Sequence, residues 1–174
     1  MASNDEDCIQ QLKCLLSYFP QNCHEKPPVY AYDDDPNRLI PELNHIIPEN
    51  PKKGYDVHRI IDLISDTQSF FEIQPLYAKN LVVGFGRIMG RTVGYVANQC
   101  SYMAGSLDIN ASDKGAHFIN LCNAFHIPLI FLTDVPGYLP GVSQEHGGII
   151  RHGAKMVYAV DNATVPKISL TMRK

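Results

Sequence analysis

Apolar residues at Ile9, Leu12, Leu15, Leu16 and Phe19 recur at the spacing of one helix face, and Pro20 ends the run, so a helix is expected over residues 6–19. Residues 20–54 then carry seven prolines (Pro20, Pro27, Pro28, Pro36, Pro41, Pro48 and Pro51), the mark of an extended connection. Its apolar residues (Val29, Tyr30, Tyr32, Leu39, Ile40, Leu43, Ile46, Ile47) argue for an arm packed along a larger surface, not a free linker. A short helix with Asp56 as N-cap is expected over residues 56–65, and a strand-like run over residues 69–73. Two apolar stretches, residues 80–88 and 91–98, meet at Met89-Gly90 and predict a β-hairpin. A type I turn with a bulge would put Gly90 in the left-handed region and leave Met89 right-handed. Ser112 is expected to cap a helix to about Phe125, with Phe118, Leu121, Cys122 and Phe125 inward. Residues 128–133 are continuously apolar, as suits a parallel strand covered on both faces. After a loop at 134–142, Ser143 is expected to cap one helix to about Val160, and Pro166 opens a last, buried strand ending at Met172. The order β-β-α-β-α-β predicts an α/β domain with parallel strands joined by helices. A domain seldom ends on a fresh apolar strand, so truncation at the C-terminus is expected.

With 174 residues and 45% hydrophobic content the chain can hold one domain with a core, plus an attached arm. A net charge of −3 offers no basic face for nucleic acid. The acidic runs at Asp5–Asp7 and Asp33–Asp35 read as solvated loops, and the second lacks the further oxygen ligands a metal would need. The five cysteines (Cys8, Cys14, Cys23, Cys100, Cys122) are odd in number and form no C-x-x-C, which points to reduced thiols. No apolar run approaches the roughly 20 residues that span a bilayer. The opening residues have the pattern of neither a secretory signal nor an Arg-rich transit peptide.

The glycines Gly84, Gly86 and Gly90 resemble a dinucleotide fingerprint only superficially. They lie within a strand that leads to another strand, and the last gap is three residues instead of two. Close approach of a neighbouring layer to Gly84, Gly86 and Gly94 explains them better. His117 and His126 point in opposite directions on a helix, and His146 and His152 do not share a face, so no metal site is expected. Glu145-His146 diverge as adjacent helix residues, and no nucleophile elbow or Walker loop is present. The segment from Asp134 to Lys155 is different. It follows a strand end and leads into a helix start, where open α/β sheets bind ligands and free N–H groups face the ligand. Pro136 and Pro140 stiffen the loop, and Gly147 and Gly148 suit close approach of a partner's backbone.

These residues carry a resemblance. Residues 134–141 (DVPGYLPG), 145–155 (EHGGIIRHGAK) and 163–167 (ATVPK) are similar to the carboxyltransferase (beta) subunits of biotin-dependent acyl-CoA carboxylases, the propionyl-CoA carboxylase type above all. Residues 70–73, 77–80, 90–94, 97–99 and 105–114 agree. The resemblance implies a crotonase-like (ClpP-like) ββα superhelix, present in part. Residues 1–54 would be the N-terminal helix and connecting arm, and residues 55–174 the first part of the C-terminal carboxyltransferase half. It implies transfer of a carboxyl group from N1 of biotin, carried on a partner's carrier domain, to the α-carbon of an acyl-CoA such as propionyl-CoA. Backbone N–H groups would stabilise the enolate and the ureido anion. Pro136, Gly137, Tyr138, Leu139, Gly147 and Gly148 are then expected on the biotin side, with Arg151 and Lys155 placing a carboxylate or pairing inside the subunit. Arg173-Lys174 resembles the lead into the family's Gly-Gly-Ala oxyanion donors, so the catalytic donors are expected past Lys174 and the chain alone is expected to be inactive. The implied partners are a biotin carboxylase/biotin carrier subunit and further copies, from dimer to hexamer. The implied compartment is a bacterial cytoplasm first, a mitochondrial matrix second. The methylmalonyl-CoA decarboxylase alpha subunit, running the transfer in reverse, and a non-catalytic crotonase-like assembly module are the alternatives; a hydratase ranks last because Glu145 is its only available carboxylate.

Overall fold

The computed structural model describes residues 2–35, 37–50 and 53–173. Five strands form one sheet in the order β1-β2-β3-β4-β5. β1 (Phe71–Ile73), β2 (Leu81–Ile88) and β3 (Arg91–Asn98) are antiparallel, whereas β4 (Leu129–Thr133) and β5 (Lys167–Thr171) continue parallel to β3. The parallel steps need crossovers, supplied by α3 (Ile109–Ala124) between β3 and β4, and by α4 (Val142–Gly147) and α5 (Ile149–Asn162) between β4 and β5.

Strand alternation sends two sets of side chains to two cores. Leu81, Val83, Phe85 and Val96 pack with Phe118, Ile119 and Cys122 of α3 and Ala159 of α5. Val82, Val93, Tyr95, Ala97 and Leu132 pack with Ile60 and Ile61 of α2 (His58–Ile64), with Tyr55 just before it and with Ile46 of the arm. This two-sided cover explains why β2 and β3 read as unbroken apolar runs. The three strand glycines take close neighbours, as expected. A Cβ at Gly94 would lie 2.6 Å from Cys122 Sγ, and one at Gly84 2.8 Å from the Phe70 ring. The arm is tied to the hairpin: Tyr30 N donates to Gly90 O (3.0 Å), and the Arg87 guanidinium lies 4.2 and 4.3 Å from the Tyr18 and Tyr30 rings.

Several local expectations needed correction. α1 (Asp5–Leu16) is capped by Asn4, whose side chain accepts from Asp7 N. α2 starts at His58, and Asp56 lies before the cap, its carboxylate accepting from His58 N at 3.0 Å. Both hairpin residues are left-handed (Met89 φ 53, Gly90 φ 70), a type I′ turn instead of the bulged type I. The reason is Asp66, whose two carboxylate oxygens accept Met89 N at 2.9 Å and Gly90 N at 2.8 Å. These charge-assisted bonds offset the roughly 1–2 kcal/mol of left-handed strain at Met89. α3 is capped by Asp108, which accepts Ala111 N at 2.9 Å, while Ser112 sits inside the first turn. The single helix expected from Ser143 to Val160 is two helices, broken at Gly148 (φ 87), with Gly141 as the first cap. β5, expected buried, is exposed at all five residues, because it pairs only with β4 and nothing among the described residues covers its faces.

Candidate active-site wall

The sheet's parallel half ends at Thr133, and the loop that follows is held by the segment before α3. Leu107 N donates to Gly137 O (3.1 Å), and Leu139 N donates to Leu107 O (2.9 Å), so Tyr138 bridges alongside Leu107 like a strand residue. Gly137 (φ 142) and Gly141 (φ 133) hold conformations closed to most side chains, with open space where a Cβ would stand. Tyr138 leans across α5. Its hydroxyl donates to Gly153 O at 3.2 Å, and a Cβ at Gly153 would meet its ring at 2.8 Å. Burial pushes the Tyr138 phenol above the ordinary tyrosine pKa, so it stays a neutral donor. Two apolar hollows flank the ring. One, of about 580 Å³, is walled by Ile149, Ile150, Val157 and Tyr158 of α5; the other, of about 550 Å³, lies between Met156 and Val160 of α5 and Phe131 of the sheet.

The predicted residues therefore come together only in part. Pro136, Gly137, Tyr138 and Leu139 form one loop against α5. Gly147 and Gly148 join α4 to α5, and both have internal reasons to be glycine. A Cβ at Gly147 would lie 2.5 Å from Ile109 Cδ1, and Gly148 carries the positive φ of the break. Close approach of a partner is not needed to explain them. Lys155 pairs inside the chain with Asp113 (3.0 Å), which also accepts from His152 Nδ1 at 2.7 Å. Burial works against the Asp113 carboxylate, but the bonds from His152 and Lys155 outweigh it and hold its pKa below the usual value. Arg151 is exposed on α5. Among the described residues no cluster of three or more His, Cys, Asp or Glu is placed to hold a metal ion, and no helix is long and apolar enough to cross a membrane. Lys174, half of the Arg173-Lys174 pair read above as the lead into the oxyanion segment, lies outside the described residues.

One feature escaped the sequence reading. Asp134 Oδ2 accepts from Tyr55 OH (2.8 Å) and from Arg173 Nε (2.7 Å), which lie 79 residues before it and 39 residues after it. An aspartate at the end of β4 was the only sequence signal. Burial, and then the bond to Asp134, push the Tyr55 phenol far above the ordinary tyrosine range. Burial raises the Cys100 thiol to about 11, which makes it an inert neutral donor to Asp134 O.

The family described as carboxyl transferase domain matches residues 1–174, the whole chain. This chain belongs to the carboxyl transferase domain family. Among its relatives is a propionyl-CoA carboxylase carboxyltransferase subunit of Haloferax mediterranei, 51% identical over 98% of this chain and 33% of the relative. The mitochondrial propionyl-CoA carboxylase beta chain of Homo sapiens is 50% identical over 98% of this chain and 32% of its own length. The methylmalonyl-CoA decarboxylase alpha subunit of Propionigenium modestum is 48% identical over the full chain and 34% of its length. Of solved structures, a transcarboxylase 12S with hydrolysed methylmalonyl-coenzyme A bound, described as a hexamer assembly, superposes with a TM-score of 0.96. It is 52% identical, covering 99% of this chain and 34% of that one. The carboxyl transferase domain chain therefore has the crotonase-like fold, and it spans about a third of the length of these relatives. Those relatives come from archaeal, bacterial and mitochondrial sources.

Proposed function

We propose that this chain is the part of a biotin-dependent acyl-CoA carboxyltransferase that walls the biotin side of the site, with propionyl-CoA as the first acyl acceptor. The observation that carries the reading is the Pro136–Leu139 loop. It sits at the carboxyl end of a parallel strand and presents a half-exposed Tyr138 between two apolar hollows, in a chain that belongs to this family. The residues suit the group. Biotin's bicycle is largely apolar with a polar ureido edge, and the hollows offer apolar walls beside glycine backbone and a tyrosine hydroxyl. When bound, biotin supplies the carboxyl group from its N1 nitrogen. The chain's own part is to orient that ring through Tyr138, to keep the pocket dry with Ile149, Ile150 and Val157, and to present backbone amides near the helix break at Gly148. No side-chain nucleophile is required, because hydrogen-bond donors aimed at developing oxygen charge suffice.

The biotin would arrive on a carrier domain of a partner subunit, and the acyl-CoA half of the site would come from further polypeptide, in an oligomer. The decarboxylase direction uses the same wall, and the 48% identity to the Propionigenium modestum subunit keeps it as the second reading. A bacterial cytoplasm remains the compartment we favour, and the reaction itself does not depend on it.

The test is a chimera in which this chain replaces the matching third of the Haloferax mediterranei subunit, reconstituted with its biotin carboxylase partner. Propionyl-CoA carboxylation should survive in the chimera, while the 174-residue chain alone should show none. Acyl-CoA-dependent turnover of carboxybiotin by the isolated chain, or a folded but dead chimera, would overturn the reading. Gly148→Val, at a φ of 87, should weaken biocytin binding by the chimera at least tenfold; unchanged binding would remove the α5 start from the biotin wall.

A further inference from the structure

We propose that Asp134 is a positioning residue for this site: it locks together the carboxyl ends of β4 and β5 and thereby aims the Pro136–Leu139 loop. The proposal rests on the carboxyltransferase reading for its consequence, but on geometry alone for the lock. The last ladder bond between the two strands is Met172 N to Thr133 O, 2.9 Å. One residue further, parallel strands lose their mutual support, and the loop could leave in any direction. Asp134 and Arg173 stand at that point and replace the missing ladder with an ion pair of 2.7 Å. Their side chains are only 14% and 16% exposed, so this is not a solvent-screened surface pair. Tyr55, brought in from the arm side, donates to the same carboxylate oxygen at 2.8 Å, and its ring lies 5.2 Å from the guanidinium.

The backbone of Asp134 is held as firmly. Its N–H donates to Asn98 Oδ1 at 3.2 Å, and its carbonyl accepts from the Cys100 thiol at 3.4 Å. Gly105 packs on that carbonyl so closely that a Cβ would lie 2.6 Å away. Both polar groups of its backbone are therefore held. Two residues later Pro136 fixes φ, and the next contacts are the pair of backbone bonds between Leu107 and the loop. Tyr138 inherits its aim from this chain of constraints. The lock also borders a hollow of about 430 Å³, lined by Ala104, Pro136 and Met172 with the ion pair itself, so its loss would loosen the start of the Pro136–Leu139 loop. Asp134 Oδ2 already accepts two donors, which fits a strut and not a base.

The experiment has two arms. In the 174-residue chain, Asp134→Asn should speed hydrogen exchange at the Leu107 and Leu139 amides at least tenfold, while amides of the Leu81–Asn98 hairpin keep their protection. In the chimera, the same change should lower kcat for propionyl-CoA carboxylation by tenfold or more with KM for propionyl-CoA within twofold, since the carrier-side geometry and not acyl-CoA binding is disturbed. Exchange at Leu107 and Leu139 equal to the parent's, or a KM increase with kcat intact, would overturn the proposal. Should Asp134→Asn fail to fold, Tyr55→Phe removes one donor and leaves the ion pair; exchange at the two amides should still rise severalfold, and an unchanged rate would overturn the lock. If the unsubstituted chimera is inactive, the carboxyltransferase reading falls, and the exchange arm still decides whether Asp134 holds the loop.

Discussion

Replacing Lys114 with methionine should cost this domain several kcal/mol, although methionine is apolar, flexible and close to lysine's length. Lys114 is 3% exposed on α3, and its ammonium donates to Gln74 O (3.1 Å), Tyr77 O (2.8 Å), Ala78 O (3.4 Å) and Leu81 O (2.8 Å). Burial pushes its pKa below the usual lysine value, against the attraction of Glu72, and the carbonyl cage supplies the hydrogen bonds a buried ammonium needs. Gln74 O and Ala78 O keep backbone partners, Tyr77 N and Leu81 N, each at 3.1 Å. The loss therefore falls mainly on the Tyr77 and Leu81 oxygens, at about 1–3 kcal/mol for each buried acceptor stranded. Relief from desolvating the ammonium returns part of this, for a net loss of about 2–4 kcal/mol. In a domain of this size that corresponds to a fall in Tm of roughly 5–15 °C. The loop also holds left-handed Gln74 (φ 54) and Ala78 (φ 44), which the cage keeps in place, so exchange protection from residue 75 to 80 should fall further than elsewhere. Urea unfolding followed by circular dichroism reads the global term. A loss below about 0.5 kcal/mol, or a gain, would refute the reasoning and show that an apolar filler satisfies this site.

Three further outcomes are expected. The bond to Glu72 first, set against burial, and then the bond to Asp56 raise His58 to about 9, so it is protonated in the fold at neutral pH but titrates near 6.5 when unfolded. Its contribution is fully present below pH 6.5 and is lost as pH rises through 9, so the urea midpoint should fall from pH 6.5 to 9.5 more steeply than in His58→Gln; equal slopes would remove His58 as the cause. Gly94→Ala, with a Cβ 2.6 Å from Cys122 Sγ and 3.2 Å from the Phe118 ring, should destabilise by about 1–3 kcal/mol in the same assay, and Cys122→Ala should recover part of the loss. Gly153→Ala should displace Tyr138, seen as altered tyrosine fluorescence or ring shifts, while the melting temperature stays within a few degrees, because Tyr138 is 43% exposed and can swing outward.

Strand and helix identity were legible wherever the cause was local. The two apolar stretches meeting at Met89-Gly90, the proline that ends α1 and the apolar run before Thr133 each state their element, because residue type and backbone stiffness act over a few residues. The strand glycines were also readable, since close approach is the usual reason for glycine inside a strand. The motifs between residues 134 and 155 pointed to the family that the whole chain matches. Long-range partners were not legible. Asp66 selected the type I′ turn 23 residues away, and Ile109 and a positive φ accounted for two glycines that had read as a partner's contact surface. Lys155 read either as placing a carboxylate or as pairing inside the subunit, and only the fold names Asp113, 42 residues earlier, as its partner.

The sequence by itself determined the α/β order, the two-sided apolar strands and the family, because periodicity, proline and glycine chemistry and motif identity are written along the chain. Only the tertiary structure decided which residues meet at Asp134. Tyr55 and Arg173 reach Asp134 across 79 and 39 residues, and a carboxylate's partners depend on where strand ends meet in space, which no local pattern records.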